Sequence, residues 1–87
     1  MSSETQYANL RVALAKQIRS GRTRRGISQE ELAFRAGLHR TYISLVERSK
    51  KSLTVDSLAR IASALDIKPS KILASAEKRS SAKGGAK

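Results

Sequence analysis

The feature that most constrains this chain is the stretch of residues 27–48, which reads ISQEELAFRAGLHRTYISLVER. Ser28 is a good helix N-cap, and Glu31, three residues later, predicts a capping box. Gly37 suits the left-handed backbone conformation that ends many helices. The apolar residues with helical spacing on the two sides of this glycine are Leu32, Ala33, Ala36, Ile43 and Val46. The stretch therefore predicts two short helices joined by a tight turn.

The way these two helices would pack indicates a helix-turn-helix motif. Ala33 is a small residue at the position where two crossed helices approach closely, and Leu38 turns back toward the core after the glycine. The second helix is expected to begin near His39 or Arg40. In proteins that read DNA, the second helix of such a motif lies in the major groove.

The rest of the chain predicts three more helices and has no strand pattern. A first helix is expected over about residues 6–25, and its apolar stripe consists of Tyr7, Leu10, Leu14 and Ile18. A fourth follows the cap residue Thr54, and its apolar face consists of Val55, Leu58, Ile61, Ala62 and Leu65. A fifth is expected from Pro69 to about Ala76, because proline suits the first turn of a helix.

The length and composition indicate one small domain. Residues 6–76 are expected to form it, residues 1–5 to be flexible, and the small, polar and basic residues 77–87 to be disordered. Neither a secretory signal nor a membrane span is apparent, so the chain is expected in the cytoplasm. The absence of cysteine and the single histidine argue against a metal site, and no cofactor is expected.

Charge is the strongest global signal. Eighteen basic and seven acidic residues give a net charge of +11, so the chain should bind polyanions. The three aromatic residues, Tyr7, Phe34 and Tyr42, are too few to favour a stacking platform for single-stranded nucleic acid. The alternative to polyanion binding at this point is a solvated basic surface or a solubility tail.

Taken together, these segments resemble the Cro/repressor-type helix-turn-helix family, also called the XRE family. The matching motifs are SQEELA at 28–33, AG at 36–37, YIS at 42–44, VER at 46–48, LARIA at 58–62 and PS at 69–70. RTYIS at 40–44 and LT at 53–54 are similar to the controller proteins of restriction-modification systems. The resemblance implies a compact all-α, lambda-repressor-like domain of five helices, with the motif formed by helices 2 and 3. It also implies a symmetric dimer that binds operator DNA.

Three positions depart from the family pattern. His39 replaces the usual serine or aspartate cap, and Ser49 replaces a glycine that is common at that position. Because of these two departures, the sequence does not fix the first and last residues of the recognition helix. Gly21 stands where a larger residue usually packs, which predicts either a looser first helix or the close approach of a neighbouring element.

The start of the predicted recognition helix carries the candidates for base reading. Arginine can bind guanine through two hydrogen bonds, and threonine can contact a thymine methyl group. Arg40 is therefore favoured as a base reader over a phosphate clamp. Leu45 is favoured as exposed toward DNA over a core residue. The candidate DNA-binding residues are Gln29, His39, Arg40, Thr41, Tyr42, Ser44, Leu45, Arg48, Lys50, Lys51 and Ser52.

Phosphate contacts are expected on both sides of the recognition helix. Gln29 opens the second helix, whose N-terminus suits a phosphate, although it could equally be a plain exposed residue. Lys50 and Lys51 lie in the loop after the recognition helix, where basic side chains should meet the DNA backbone. Tyr42 either places its hydroxyl on a phosphate or has a packing role only.

The resemblance also implies two structural features. Arg22 and Glu47 should form an ion pair between the first helix and the end of the third. The dimer interface should involve Ile67, Ile72 and Leu73, with the N-terminal segment around Tyr7 and Leu10 as the alternative.

A dimeric, sequence-specific transcription regulator is the leading interpretation of these patterns. A DNA-binding antitoxin and a sequence-neutral packaging protein are the alternatives, and RNA polymerase or a toxin remain open as protein partners. An enzyme is not expected, because the chain offers no convergent nucleophile and base and no phosphate-binding loop.

Overall fold

Five α-helices form the part of the chain that the computed structural model describes, which is residues 3–85 for the backbone and 5–80 for the side chains. The helices are α1 (Ser3–Arg24), α2 (Gln29–Ala36), α3 (Arg40–Glu47), α4 (Val55–Leu65) and α5 (Pro69–Gly85). The predicted all-α fold of five helices is confirmed, with α2 and α3 forming the helix-turn-helix. Over the described residues, no helix is long and apolar enough to span a membrane.

The boundaries of α2 follow from local signals. Ser28 is the N-cap, and its Oγ accepts a hydrogen bond from the Glu31 N–H at 3.0 Å. The Glu31 carboxylate accepts a 2.7 Å hydrogen bond from Arg35 one turn later, so one half of the predicted capping box is present. Gly37 ends the helix with φ of 70°, a conformation that glycine adopts without a steric penalty.

The helix α4 is bounded in the same manner. The Thr54 Oγ1 accepts a 2.9 Å hydrogen bond from the Ser57 N–H and caps the helix. Asp66 ends it in the left-handed conformation, with φ of 58°. Aspartate tolerates this conformation better than most residues, so both predicted ends of α4 are confirmed.

The core consists of two adjoining apolar clusters. The larger cluster contains Ile18, Leu32, Ala33, Ala36, Ile43, Val46, Ile61 and Leu65. Leu58, on the predicted apolar face of α4, is buried in the smaller cluster with Ala62 and Ile72. Leu53 and Ile67 contact both clusters and join them. Leu58 shares a side of α4 with Ala62, one turn later, and this side packs against Ile72 of α5, whereas Ile61 and Leu65 share the side that meets α2 and α3.

Gly21 marks a close approach between α1 and the end of α4. A Cβ atom added to Gly21 would lie 3.2 Å from the Leu65 Cδ1 atom and 3.5 Å from the Ile67 Cδ1 atom. The helix continues past Gly21 without interruption. The second of the two sequence interpretations, close approach of a neighbour, is therefore correct.

Both outer helices are longer than the sequence predicted. The helix α1 begins at Ser3, and α5 continues to Gly85 instead of ending at Ala76. The backbone is thus helical over residues 3–5 and 77–85, and the flexibility and disorder expected for the two ends stay predictions. Residues 1–2 and 86–87 lie outside the described part of the chain.

Packing between α1 and α5 explains these extensions, because the two helices contact each other more extensively than any other pair. Ala13 and Ala76 are buried, and small residues let helix backbones approach closely. Tyr7 was predicted to belong to the apolar stripe of α1, but it is exposed near the outer end of the pair. Residues 6–10 of α1 lie next to residues 77–80 of α5, so the two helices give each other packing that a short polar helix lacks in water.

The contact of α4 with α5 can be tested with Leu58→Ala. We expect this change to lower the free energy of unfolding by about 2–5 kcal/mol, because it leaves a cavity against Ala62 and Ile72. Chemical denaturation followed by circular dichroism measures the change. Val55→Ala is the matched control on the same helix, since Val55 is 87% exposed, and it should cost about 0.5 kcal/mol or less. Equal effects of the two changes would contradict this register of α4.

Candidate nucleic-acid interface

The N-terminal end of α3 is open to solvent. His39 is its N-cap residue, with φ of −81° and ψ of 143°, and its side chain makes no capping hydrogen bond. Arg40 and Thr41, which open the helix, are both exposed. Ile43 and Val46 bury the opposite face in the larger core cluster. The helix therefore presents its first turn outward while its other face is fixed by the core.

The second turn of α3 is less exposed than the first. Ser44 and Leu45 are half-buried, and Arg48, directly after the helix, is exposed. The Arg48 Nε donates to the Ser44 carbonyl oxygen at 3.4 Å, which holds this side chain along the helix. Leu45 is thus neither a core residue nor fully open to a ligand.

A tight turn fixes the basic loop beside the end of α3. The Ser49 N–H donates to the Val46 carbonyl at 3.0 Å, and the Lys50 N–H donates to the Leu45 carbonyl at 2.8 Å. These two hydrogen bonds define a Schellman motif, in which the residue after the cap is left-handed. Ser49 has φ of 61°, which explains why glycine is common at this position. Lys50, Lys51 and Ser52 follow as an exposed group.

Tyr42 connects α3 to this loop. Its ring packs against the larger core cluster, and its hydroxyl donates to the Ser52 carbonyl at 3.3 Å. The hydroxyl proton is therefore directed to the protein backbone in the free chain. This geometry favours the packing interpretation of Tyr42 over a free phosphate donor.

The ion pair that the resemblance implied is present beneath this surface. Glu47, the last residue of α3, has a fully buried side chain. Arg22 donates to both of its oxygens, from Nε to Oε2 at 2.7 Å and from Nη2 to Oε1 at 3.0 Å. The Arg22 Nη1 also donates to the Ile27 carbonyl at 3.0 Å. One arginine thus joins α1, the α1–α2 loop and α3.

Gln29 belongs to the same cluster. Its Nε2 donates to the Glu47 Oε1 at 3.0 Å. The sequence left Gln29 either beside a phosphate, together with the free backbone N–H groups of the helix start, or as a plain exposed residue, whereas in the free chain its amide holds a buried carboxylate. Because the Gln29 amide already binds Glu47, the backbone N–H groups at the start of α2 are the better phosphate donors.

The protonation of Glu47 reflects these partners. Burial raises the pKa of the carboxyl group, but hydrogen bonds from Arg22 and Gln29, together with the charges of Arg22 and Arg19, lower it by more. The net result is a pKa below the ordinary value of 4.5. The hydrogen bond to Glu47 raises the pKa of Arg22 despite its partial burial. The pair is therefore fully ionised at neutral pH.

Arg19 is a functional candidate that the sequence analysis missed. Its Nε lies 3.7 Å from the Glu47 Oε1, while most of the side chain is exposed. The only available signal was its spacing from Arg22, since residues three apart share one helix face. That spacing does not reveal the buried carboxylate, which is supplied by a distant part of the chain.

The predicted dimer residues differ in their accessibility. Ile72 is only 4% exposed in a single chain and packs with Leu58, so little of its surface is free for a contact with a second chain. Ile67 is half-buried between the two core clusters. Leu73 is 37% exposed and is the one residue of the three with substantial free surface. Ile72 and Leu73, although adjacent in sequence, thus lie on different sides of α5.

The exposed side chains around α3 carry donors and positive charge. Arg40, Arg48, Lys50 and Lys51 are all exposed on α3 or directly after it. Over the part of the chain that the structure describes, no group of three or more histidine, cysteine or acidic side chains could hold a metal ion. The arrangement is suited to binding a polyanion that has a groove wide and deep enough to admit the end of a helix.

A two-helix unit with an exposed second-helix N-terminus and a basic loop beside it defines the class of helix-turn-helix DNA-binding proteins. The family model described as helix-turn-helix matches residues 18–72. The chain belongs to this helix-turn-helix family.

Individual relatives agree with this assignment. The chain is 38% identical over 66 residues to the control protein C.BamHI from Bacillus amyloliquefaciens, a match that covers 75% of this chain and 82% of the relative. The restriction-modification controller protein C.AhdI from Aeromonas hydrophila superposes with a TM-score of 0.70 at 39% identity, covering 71% of this chain and 94% of that one. These similarities confirm the predicted resemblance to the XRE family and its controller proteins.

A solved structure outside the controller group is also similar. The clp gene regulator ClgR from Corynebacterium glutamicum gives a TM-score of 0.81 at 28% identity, and the match covers 88% of this chain and 82% of that one. The fold is therefore shared by a regulator outside the restriction-modification controllers.

The buried ion pair makes stability depend on pH, and Glu47→Gln tests this. Because the pKa of Glu47 is lower in the folded chain than in the unfolded one, its contribution is complete above about pH 5 and is lost as the pH falls through the folded value. We expect the variant to be less stable at pH 7 by about 3–5 kcal/mol, since Arg22 loses its charged partner. The difference from the wild type should shrink below the ordinary value of pH 4.5.

Urea denaturation between pH 3 and pH 7 measures both effects. Glu31→Gln is the matched control, because the Glu31 carboxylate forms an exposed pair with Arg35, and it should change stability by only about 0.5 kcal/mol. A stability difference between Glu47→Gln and the wild type that stayed constant down to pH 3 would refute the assignment.

Proposed function

We propose that this protein regulates transcription by binding an inverted-repeat operator as a symmetric dimer, with α3 in the major groove. The observation that carries the proposal is the exposed first turn of α3, held between a buried apolar face and a fixed basic loop. Such a helix end can enter the groove without rearrangement of the protein backbone. The role is one of binding and not of catalysis.

Base reading is assigned mainly to the first turn of α3. The Arg40 guanidinium can form two hydrogen bonds with a guanine, and Thr41 can contact a thymine methyl group or a base edge. His39 precedes them on the same exposed surface. Ser44 and Leu45 would contribute at the groove edge, because they are half-buried.

Phosphate binding is assigned to the elements beside α3. Lys50, Lys51 and Ser52 stand next to its C-terminal end, and the N-terminus of α2 supplies backbone N–H groups near Gln29. Arg48 lies between the helix and the loop. These contacts would position the protein on the DNA without reading its sequence.

A dimer would set the spacing of the operator. Two recognition helices related by a two-fold axis should lie about 34 Å apart, so the half-sites should be about 10 base pairs apart. We place the contact on α5 around Leu73, because Ile72 is occupied in the core and Ile67 is half-buried. Tyr7 and Leu10 on α1 remain the alternative contact.

The biological role is inferred from the relatives. Both C.BamHI and C.AhdI are described as control or controller proteins, the latter of a restriction-modification system. We propose the same role here, in a cytoplasm where the target DNA is accessible. None of these relatives supports the antitoxin alternative. A toxin or RNA polymerase as protein partner stays a prediction.

Arg40→Ala and Lys51→Ala separate base reading from phosphate binding. With an operator selected from random duplexes by the wild type, Arg40→Ala should weaken binding by about 1–3 kcal/mol and relax the preference at one position in each half-site. Lys51→Ala should weaken binding to operator and scrambled DNA alike, and it should lower the slope of log K against log salt by about 0.9. Fluorescence anisotropy across a salt series measures both.

Equal losses on operator and scrambled DNA for Arg40→Ala, with the base preference intact, would make Arg40 a phosphate clamp. The base-reading role would then move to Thr41, Ser44 and Leu45. A wild-type protein that failed to prefer any selected duplex at fixed salt would instead favour the sequence-neutral packaging alternative.

The proposed dimer contact predicts a specific effect of Leu73→Glu. The wild type should sediment as a dimer at about 50 µM, and the variant should sediment as a monomer, because a charge would be buried at the two-fold interface. Phe34→Ser is the matched control, since Phe34 is 82% exposed on α2 and should leave the dimer intact. A dimer of unchanged stability in Leu73→Glu would move the interface to the Tyr7 alternative.

A further inference from the structure

Arg19 lies next to the Glu47 carboxylate, whose oxygens already have other hydrogen-bond donors. The Glu47 carboxylate already accepts two hydrogen bonds from Arg22 and one from Gln29, all between 2.7 and 3.0 Å. The Arg19 Nε lies 3.7 Å from the Glu47 Oε1, which is beyond hydrogen-bond length. The interaction of Arg19 with Glu47 is therefore a longer-range attraction that orients the guanidinium without satisfying the carboxylate.

The cluster of these side chains carries excess positive charge. Arg22 neutralises Glu47, and Gln29 is uncharged, so Arg19 adds one unbalanced positive charge. The Arg19 side chain is 59% exposed, and an exposed pair of this length contributes little to stability. A guanidinium held in this manner keeps N–H donors available on its terminal nitrogens.

The acidic residues of α2 lie on a different part of the surface. Glu30 and Glu31 line a shallow cavity of about 380 Å³ together with Ser28 and Phe34. Neither Arg19 nor Gln29 takes part in this cavity. The carboxylate of Glu31 is in addition paired with Arg35. Arg19 thus leaves one uncompensated positive charge at the Glu47 cluster, although the first turn of α2 contains two acidic residues.

We infer that Arg19 is a further DNA-binding residue, whose guanidinium binds a backbone phosphate beside the start of α2. Arginine suits this task because its planar fork matches two phosphate oxygens. Glu47 acts as the positioning residue, since it holds Arg19 and Gln29 on one side of the helix-turn-helix unit. The inference rests on the proposed function, because it assigns an additional contact to the same DNA.

The experiment compares Arg19→Gln with Lys16→Gln on a mixed-sequence duplex of about 30 base pairs, since a phosphate contact does not require the operator. Lys16 is the matched control because it is an exposed basic residue on α1 that borders a cavity shared with Arg79 of α5. Both changes remove one positive charge from the same helix. Arg19→Gln should raise Kd about 3–10-fold near physiological salt and lower the slope of log K against log salt by about 0.9.

Lys16→Gln should leave the slope close to that of the wild type. Arg19→Lys should also retain that slope, because it keeps the charge that displaces a counterion from the DNA. Thermal denaturation should show similar midpoints for all three variants, since Arg22 and Gln29 still satisfy Glu47.

Two results would overturn the assignment of Arg19. One is a slope for Arg19→Gln equal to that for Lys16→Gln, and the other is a slope for Arg19→Lys as low as that for Arg19→Gln. Failure of the proposed function is distinguishable, because the wild type would then bind the selected operator no more tightly than the mixed-sequence duplex at fixed salt, whatever the slopes of the variants. A fall in the thermal midpoint confined to Arg19→Gln, with an unchanged salt slope, would assign Arg19 to structure instead.

Discussion

The buried carboxylate of Glu47 is the interaction on which the arrangement of the first three helices depends. Arg22 of α1 donates to both of its oxygens and also to the Ile27 carbonyl, while Gln29 donates from the start of α2. A buried charge that lacks a partner destabilises a fold by several kcal/mol. The carboxylate is therefore accommodated only when α1, α2 and α3 meet at one point, and that meeting orients the helix-turn-helix unit.

This constraint matters because the recognition helix cannot define its own position. It has eight residues, and a helix of that length is unstable alone in water. Its N-cap residue, His39, makes no side-chain capping bond. Order is supplied by Ile43 and Val46 in the core, by Glu47, and by the Schellman turn at Ser49. The side chains of the first turn are consequently not needed to hold the helix in place, and they are open to a ligand.

The pairing of α1 with α5 extends the domain beyond the residues that match the family, 18–72. Residues 77–85 are polar, basic and rich in small side chains, a composition that by itself indicates disorder. Their backbone is helical, and α1 lies alongside the start of the segment, with Ala13 and Ala76 buried. The same pairing leaves Leu73 exposed while Ile72, one residue earlier, is in the core. The rotation of α5 about its own axis, relative to the helices it packs against, decides which of the two residues is buried. The local sequence contains no signal for this rotation.

The sequence by itself determined the five helices, the helix-turn-helix and the basic character of its surface. The signals for the helices act within one or two turns: they are capping residues such as Ser28 and Thr54, the glycine at 37 and the apolar periodicity. Only the tertiary structure decided which partners distant side chains have. It assigned the Gln29 amide to Glu47, directed the Tyr42 hydroxyl to the loop, and brought Arg19 into the same cluster. These outcomes depend on contacts between residues 10 to 28 positions apart, and local sequence patterns carry no information about such contacts.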